Sequence, residues 1–518
     1  MRRHLSVLFV FVAILAILIF VESRPGFPDA DSFYHAKMAI MIRDHGFIHQ
    51  LKWLAYTPLA SSFVDYHLGY HILLIPFVTL FDPLVGMKVS AVLFALIAFA
   101  VLYAVLRFIK TPRPEIFVAL AFLSGSFLFR MTLPRAPALS VAILLAFAWA
   151  MLSKRPWLIT IFAVAYVWLY YGWPLLFVVL FAVTFADFFA QRFLNHGETM
   201  FQTMKCVMRQ QARSVVQCVI GISIGLVINP YFPQNIFLTA RDILKLAVLN
   251  THGSVPIGNE WYPSTLGQFS MHTLPVVFAF VICIALFLSM EAQQKKTLSK
   301  KELHTFISVL ILAFVFIFLT LKSNRFCEYA VPFLTLATGG LFFFSHDFIV
   351  HEIHKRVPDI RQQFRQSRVA KMLVALLAIP FVFSVITEIN YVTPKKYYSA
   401  DRFQEATRWT REHVPENEIV FQGVWDYSLI LFYFDDTHRY ILGLDPRYMA
   451  ETFPDDYKIW SAITSGTDKD VRKIADVFHS KTVVIDTLRP SPFEKNLQSS
   501  GLFDQVVSNG TVHVYVAK

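Results

Sequence analysis

A chain of 518 residues in which 56% are hydrophobic and only 16% charged is too apolar to fold as a soluble protein. Its mean hydropathy of +0.51 and its 52 phenylalanines place it among polytopic membrane proteins. The net charge of +11 does not signal nucleic acid, because Lys and Arg gather in short loops between apolar runs and no basic stretch is interleaved with exposed aromatics.

Along the chain, eleven apolar runs are expected to cross the bilayer, at about 5–21, 87–109, 115–129, 136–152, 157–171, 174–190, 215–230, 270–290, 303–321, 328–345 and 369–389. Met1, Arg2, Arg3 and His4 precede the first run and place its start in the cytoplasm. Val21-Glu22-Ser23-Arg24 is a poor cleavage site, so this run reads as a retained anchor. A long outside segment follows, 22–86, with helical periodicity over 32–43 and an amphipathic or re-entrant piece around 70–80. The loops bearing Lys110 and Arg113, Lys154 and Arg155, Lys205, Arg209 and Arg213, Lys295 to Lys301, and Lys355 to Arg368 all fall inside. A second long outside segment, 229–269, has Asn-Pro, Phe-Pro and Val-Pro breaks around a short helix near 238–249.

An odd number of crossings leaves the end of the chain outside. Beyond Tyr391 the pattern becomes that of a small α/β domain, with strands at 418–425 and 481–485, helices at 470–479 and 492–499, and a hairpin over 505–516 around Asn509-Gly510. The expected fold is therefore a polytopic α-helical membrane domain over 1–390, in the plasma membrane, with a soluble extracytoplasmic α/β domain over 391–518. Cys206, Cys218, Cys283 and Cys327 are scattered, show neither metal spacing nor a disulfide framework, and read as packing residues.

The acidic residues Asp29, Asp31, Asp65 and Glu260 all fall on the outer side, as does the tail with Trp425, Asp426 and Tyr427. Carboxylates at one membrane face, near Arg130, Arg135 and Arg325, are what an enzyme needs to hold a metal ion against a lipid-linked phosphate. Two carboxylates spaced as Asp29 and Asp31 converge on one Mg²⁺ or Mn²⁺ only in turn or extended geometry; in the other reading Asp29 caps the helix starting near Ser32 and Asp31 stabilises its dipole.

Asp31-Ser32-Phe33-Tyr34-His35-Ala36-Lys37 resembles the first-loop motif of the oligosaccharyltransferase catalytic subunits, a family within the C superfamily of membrane glycosyltransferases (GT-C). The resemblance, to a divergent prokaryotic single-subunit member, implies that Asp31 ligates a catalytic divalent cation, Mn²⁺ or Mg²⁺, and that His35 and Lys37 lie beside the donor phosphate. Gly258-Asn259-Glu260-Trp261-Tyr262-Pro263 is similar to the long-loop motif whose Glu touches both the metal and the acceptor amide, a role Glu260 would inherit. Arg325, in Lys322-Ser323-Asn324-Arg325-Phe326, resembles the family's phosphate-gripping Arg. Val424-Trp425-Asp426-Tyr427-Ser428 matches the three central positions of the Trp-Trp-Asp-Tyr-Gly signature, which implies acceptor binding by Trp425, Asp426 and Tyr427.

There are departures too. Val424 and Ser428 replace the outer Trp and Gly of that signature, and the second outside loop, Arg130 to Pro137, lacks the family's acidic metal ligands. Asp65 with His67 could supply the missing ligands or hold the donor sugar, and Arg130 with Arg135 could instead bring positive charge directly to the phosphate. The function expected is transfer of a sugar or oligosaccharide from a polyprenyl phosphate or diphosphate to a protein acceptor at the outer membrane face. Lipid, glycan or Ser/Thr acceptors form one alternative. A transporter or flippase of lipid-linked glycans forms another, against which stand spans almost free of central charge and no visible half-repeat.

Overall fold

The computed structural model describes residues 2–194, 199–242, 255–256, 258–290, 299–356, 398–489 and 491–518. By its internal packing the chain forms two compact units, one over Met1–Ser23, Val89–Asn229 and Glu260–Pro394, the other over Arg24–Lys88, Pro230–Asn259 and Lys395–Lys518. The molecule is a mostly helical polytopic membrane protein with a C-terminal mixed α/β domain.

In the first unit the apolar runs fold as helices. Among the described residues five are long and apolar enough to cross a membrane: His4–Glu22, Pro83–Phe108, Leu175–Phe193, Lys300–Lys322 and Asn324–Phe348. Counting each of two sharply bent pairs as one span gives seven. That is fewer than the eleven expected, for identifiable reasons. Pro137–Leu152 and Pro156–Leu169 are helical where spans were expected, but at 16 and 14 residues they fall short of the roughly 20 that a bilayer asks of an upright helix. The 215–230 run is the end of one 28-residue helix, Met200–Val227, whose first half carries Lys205, Arg209 and Arg213. The expected span at 369–389 lies outside the described residues.

Met200–Val227 packs on Pro156–Leu169 through two glycines one turn apart. A Cβ on Gly221 would come within 2.7 Å of Ala163 Cβ and of the Thr160 carbonyl oxygen, and one on Gly225 within 2.9 Å of Val167 Cβ. The close approach lets Trp168 Nε1 donate to the Gly225 carbonyl at 3.0 Å and Thr160 Oγ1 to that of Gln217 at 3.1 Å.

The second unit is built on a five-stranded sheet of order β2-β1-β3-β5-β4, from β1 (Ile419–Gln422), β2 (Arg439–Tyr440), β3 (Thr482–Asp486), β4 (Phe503–Ser508) and β5 (Val512–Ala517). β1 runs parallel to β2 and β3, while β3, β5 and β4 pair antiparallel. β1 and β3 are buried along their whole length, as apolar strands covered on both faces must be. The hairpin turns at Asn509-Gly510, as expected: Gly510 takes φ +80° and Asn509 Oδ1 accepts from the Thr511 and Val512 amides.

The helices expected at 32–43 and 70–80 form as Asp31–His45 and Leu68–Leu80; of the short helix expected near 238–249, the part up to Asp242 falls in Gln234–Asp242 and the rest lies outside the described residues. Rather than standing as a loop, residues 24–88 belong to the same unit as the tail. Leu54 bridges Tyr440 at the β2 edge, the Tyr440 amide donates to the Trp53 carbonyl at 2.7 Å, and Trp53 stacks on Phe432 with centroids 3.9 Å apart. Phe27 forms a second bridge, antiparallel, to Tyr398.

Candidate functional site

Two helix breaks in the first unit set the positions of three arginines. The Pro114–Phe122 helix stops at Leu123, and after Ser124, in extended conformation, the chain restarts as Gly125–Thr132, bent by 81°. Pro134 then holds Leu133 extended and ends that short helix. Arg130 thus sits in a last helical turn, where the dipole favours a cation, and Arg135 just beyond it. Arg325 occupies the Asn324–Phe326 turn between the Lys300–Lys322 and Cys327–Arg356 helices.

Glu260 lies in the Asn259–Trp261 turn, and the first unit brings its carboxylate into this group. Oε2 accepts from Arg130 Nη1 at 2.9 Å and lies 3.5 Å from Arg135 Nη1; Oε1 accepts from Arg325 Nη1 at 3.2 Å. Backbone bonds fix the turn independently of the carboxylate, since Ser323 Oγ donates to the Glu260 carbonyl at 3.0 Å and the Asn324 amide to that of Tyr262 at 2.9 Å. Burial works to raise the Glu260 pKa, but the guanidinium groups of Arg135, Arg130 and Arg325 outweigh it and hold the carboxyl well below the usual carboxylate range.

Sequence reasoning missed the residues behind this cluster. Glu328 is fully buried and accepts from Arg130 Nε at 2.8 Å. Arg325 donates to Tyr171 Oη at 2.9 Å, and its guanidinium carbon lies 4.7 Å from the Trp261 ring centroid and 5.3 Å from that of Tyr170. Tyr329, beside Glu328, is tied to Ser140 and Tyr166 through its hydroxyl. The signal that could have found Glu328 is an acidic residue inside an apolar run. With three arginines against two glutamates, the cluster carries a formal charge of 3 − 2 = +1.

The first-loop residues lie in the second unit. Asp29 Oδ1 accepts from the Ser32 amide at 3.2 Å and from Ser32 Oγ at 3.0 Å, the helix-start role. Asp31 opens the helix as its first-turn acid, and Lys37 pairs with Asp436 at 2.9 Å. His35 Nδ1 is 2.7 Å from His71 Nε2, and His71 Nδ1 is 2.6 Å from Asp65 Oδ2, which makes a buried Asp–His–His chain that sequence reasoning did not foresee. Asp65 Oδ1 also accepts from the His67 amide, and the His67 ring lies 5.5 Å from that of His35.

The tail motif divides in its roles. Tyr427 is buried, accepting from the Gly423 amide at 2.6 Å and donating to the Val484 carbonyl at 2.8 Å, so it joins β1 to β3. Trp425 packs partly buried on the sheet core. Asp426 does not cap the Ser428–Phe434 helix: its Oδ2 accepts from Tyr398 Oη at 2.7 Å and pairs with Arg489 at 2.8 Å. The buried Asp426 Oδ1 has no hydrogen-bond partner among the described residues.

The divalent cation implied by the resemblance would rest on Asp31, Glu260, Asp65 and His67. Glu260 faces three guanidinium groups that would repel a cation, and Asp65 is committed to His71 and the His67 amide. Among the described residues no three His, Cys, Asp or Glu side chains are disposed to hold a metal ion. In this arrangement neither Glu260 nor Asp65 presents its carboxylate to such an ion.

No family model matches the sequence, and neither does any curated protein. Solved structures do match. The archaeal oligosaccharyltransferase AglB from Archaeoglobus fulgidus, in complex with an inhibitory peptide and a dolichol-phosphate, aligns with a TM-score of 0.58 at 13% identity over 92% of this chain and 69% of that one. The arabinofuranosyltransferase AftD from Mycobacteria aligns at 0.55 and 12% identity, over 99% of this chain and 40% of that one. ArnT from Cupriavidus metallidurans, in the apo state, aligns at 0.50 and 12% identity, over 98% and 97%. The likeness is one of fold, which this chain shares with these solved structures.

Proposed function

We propose that the protein is a membrane glycosyltransferase that transfers a sugar or oligosaccharide from a polyprenyl phosphate or diphosphate to an acceptor at the outer membrane face. The observation that carries this is the cluster of Arg130, Arg135 and Arg325, three converging cations with an excess of positive charge. Displacement at the anomeric carbon leaves negative charge on the departing phosphate, and fixed guanidinium groups stabilise that charge where it develops. Archaeal AglB, described with a dolichol-phosphate and an inhibitory peptide, supports a lipid phosphate donor and a peptide acceptor on the same fold. Asp31 is assigned to orienting the acceptor, and Asp426, with a buried oxygen that has no partner among the described residues, to holding it.

The altered Val424 and Ser428 favour a second reading, in which the acceptor is a hydroxyl of Ser/Thr, a glycan or a lipid. Transfer of radiolabelled sugar from a lipid-linked donor to peptide or hydroxyl acceptors tests both. Arg325→Lys should lower turnover on the order of a hundredfold, because a point charge replaces the planar guanidinium that bonds Glu260 and Tyr171 through Nη1 and lies over the Trp261 ring. Full activity in this variant would remove Arg325 from the site. Transfer should persist in EDTA if guanidinium groups supply the charge; loss that Mn²⁺ or Mg²⁺ restores would reinstate the cation.

A further inference from the structure

Glu260 occupies the same arginines that, on the reading above, receive the carrier phosphate. We propose that Glu260 is an internal stand-in for the carrier phosphate: the donor phosphate, a diester monoanion that becomes a monoester dianion as the anomeric C–O bond breaks, takes its place on Arg130, Arg135 and Arg325, and the displaced carboxylate becomes free to engage the acceptor. The inference rests on the donor-phosphate reading and adds the charge of the ligand and the order of events.

Charge favours the exchange. With Glu260 withdrawn, the three arginines and Glu328 leave a formal 3 − 1 = +2, which accommodates the donor diester and is neutralised by the phosphomonoester dianion that the departing sugar leaves behind. A diphosphate left by the same cleavage carries a further negative charge and would leave an excess beside the buried Glu328. Geometry points the same way. Ion-paired N–H···O bonds are best at about 2.7–2.9 Å, yet Glu260 reaches Arg325 at 3.2 Å and Arg135 at 3.5 Å. Two carboxylate oxygens shared among three guanidinium groups fit less well than a tetrahedral phosphate presenting one oxygen to each. The buried Arg325 Nε, moreover, has no hydrogen-bond partner among the described residues, so the cluster holds a donor that Glu260 does not use.

The two glutamates are not equivalent. Glu328 is sealed behind Arg130, whereas the Glu260 side chain is 20% exposed. Ser323 and Asn324 hold the backbone of the Glu260 turn, so rotation about side-chain bonds suffices to withdraw the carboxylate. It leaves as an anion, because the arginines keep it ionised. Sequential use of one carboxylate couples the two substrates: the acceptor ligand is released only when donor is bound.

Calorimetric binding of inorganic phosphate, farnesyl phosphate and farnesyl diphosphate to the purified full chain in nanodiscs tests this. Glu260→Gln removes the competing charge and should bind farnesyl phosphate about tenfold more tightly than wild type, with a smaller gain for the diphosphate. A parallel gain for inorganic phosphate would mean that the cluster accepts the free ion; a gain confined to farnesyl phosphate would assign it to a lipid headgroup, and either supports the exchange. Glu260→Asp, which keeps the charge with a shorter reach, should fall between and serves if the Gln variant does not fold. Equal or weaker binding by these variants, with wild-type binding intact, overturns the exchange and leaves the donor-phosphate reading standing. A larger gain for the diphosphate overturns the monoester assignment, and no binding of any probe to wild type or variants overturns both.

Discussion

Asp426 illustrates how a single side chain separates a structural from a functional role. Tyr398 and Arg489 engage one carboxylate oxygen and leave the other buried without a partner among the described residues, an arrangement that is costly unless a ligand supplies a donor. Asp426→Asn keeps the shape and weakens acceptance, so it should raise the acceptor KM by roughly tenfold while donor binding stays unchanged. Equal loss at all acceptor concentrations would remove Asp426 from the acceptor site. His438 makes a pH prediction. Its Nδ1 faces Asp435 Oδ2 at 2.7 Å and its Nε2 the Val414 carbonyl at 3.0 Å, two acceptors that only a doubly protonated ring satisfies. Burial lowers its pKa, but the Asp435 carboxylate and the backbone bonds outweigh burial and raise it. A raised folded pKa makes this stabilisation full below the ordinary value of 6.5 and lost as pH rises through the folded value. Asp435 behaves in mirror image: it is held below its ordinary value against the pull of burial, and its contribution is lost only as pH falls through that lowered pKa. Amide exchange at β1 and β2, corrected for intrinsic rates, should therefore quicken as pH rises above the ordinary histidine value of 6.5, and His438→Gln should flatten that dependence.

Helices and hairpins differ in how much of them the sequence reveals. The β4–β5 hairpin was legible because Asn509 and Gly510 carry its turn chemistry locally, and Asp31–His45 because its period is internal to one segment. Bridging of Leu54 and Phe27 to Tyr440 and Tyr398 was not, since pairing partners distant in sequence leave no periodic trace. The same holds at the site. Arg130, Arg135, Glu260 and Arg325 could each be named from short motifs, but their convergence, and the counter-charge of Glu328, are products of packing. Apolar runs report composition and not where a helix bends, so the 81° break between Phe122 and Gly125 left no trace in the sequence. Gly221 and Gly225 define a further test. Gly225→Leu puts a branched side chain where a Cβ alone already meets Val167 at 2.9 Å, and should part the Met200–Val227 and Pro156–Leu169 helices. A drop of several degrees in the Tm of the purified protein is expected, well beyond that of Leu at the exposed Val227. An unchanged Tm would show that the contact is not needed.

For the whole molecule, the distribution of Lys and Arg around the apolar runs argues that the tail is extracytoplasmic. A reporter active only outside the cytoplasm, fused after Lys518, should give signal, and its cytoplasmic counterpart none; the reverse would remove the tail from any outer-face reaction. The division into two units is interleaved along the chain, because the second unit recruits residues 24–88 and 230–259 as well as the tail. All five strands are contributed by residues from Ile419 onward, yet Trp53, Leu54 and Phe27 lean on that part of the chain through backbone bonds. During translation these early residues leave the ribosome long before the surface that completes them exists. They must wait, with Trp53 lacking its stacking partner and the strand edge unmade, until Tyr440 has been read. A premature stop upstream of Tyr440 would therefore, besides removing most of the sheet, leave an unfinished segment around Trp53 nearly four hundred residues away in sequence.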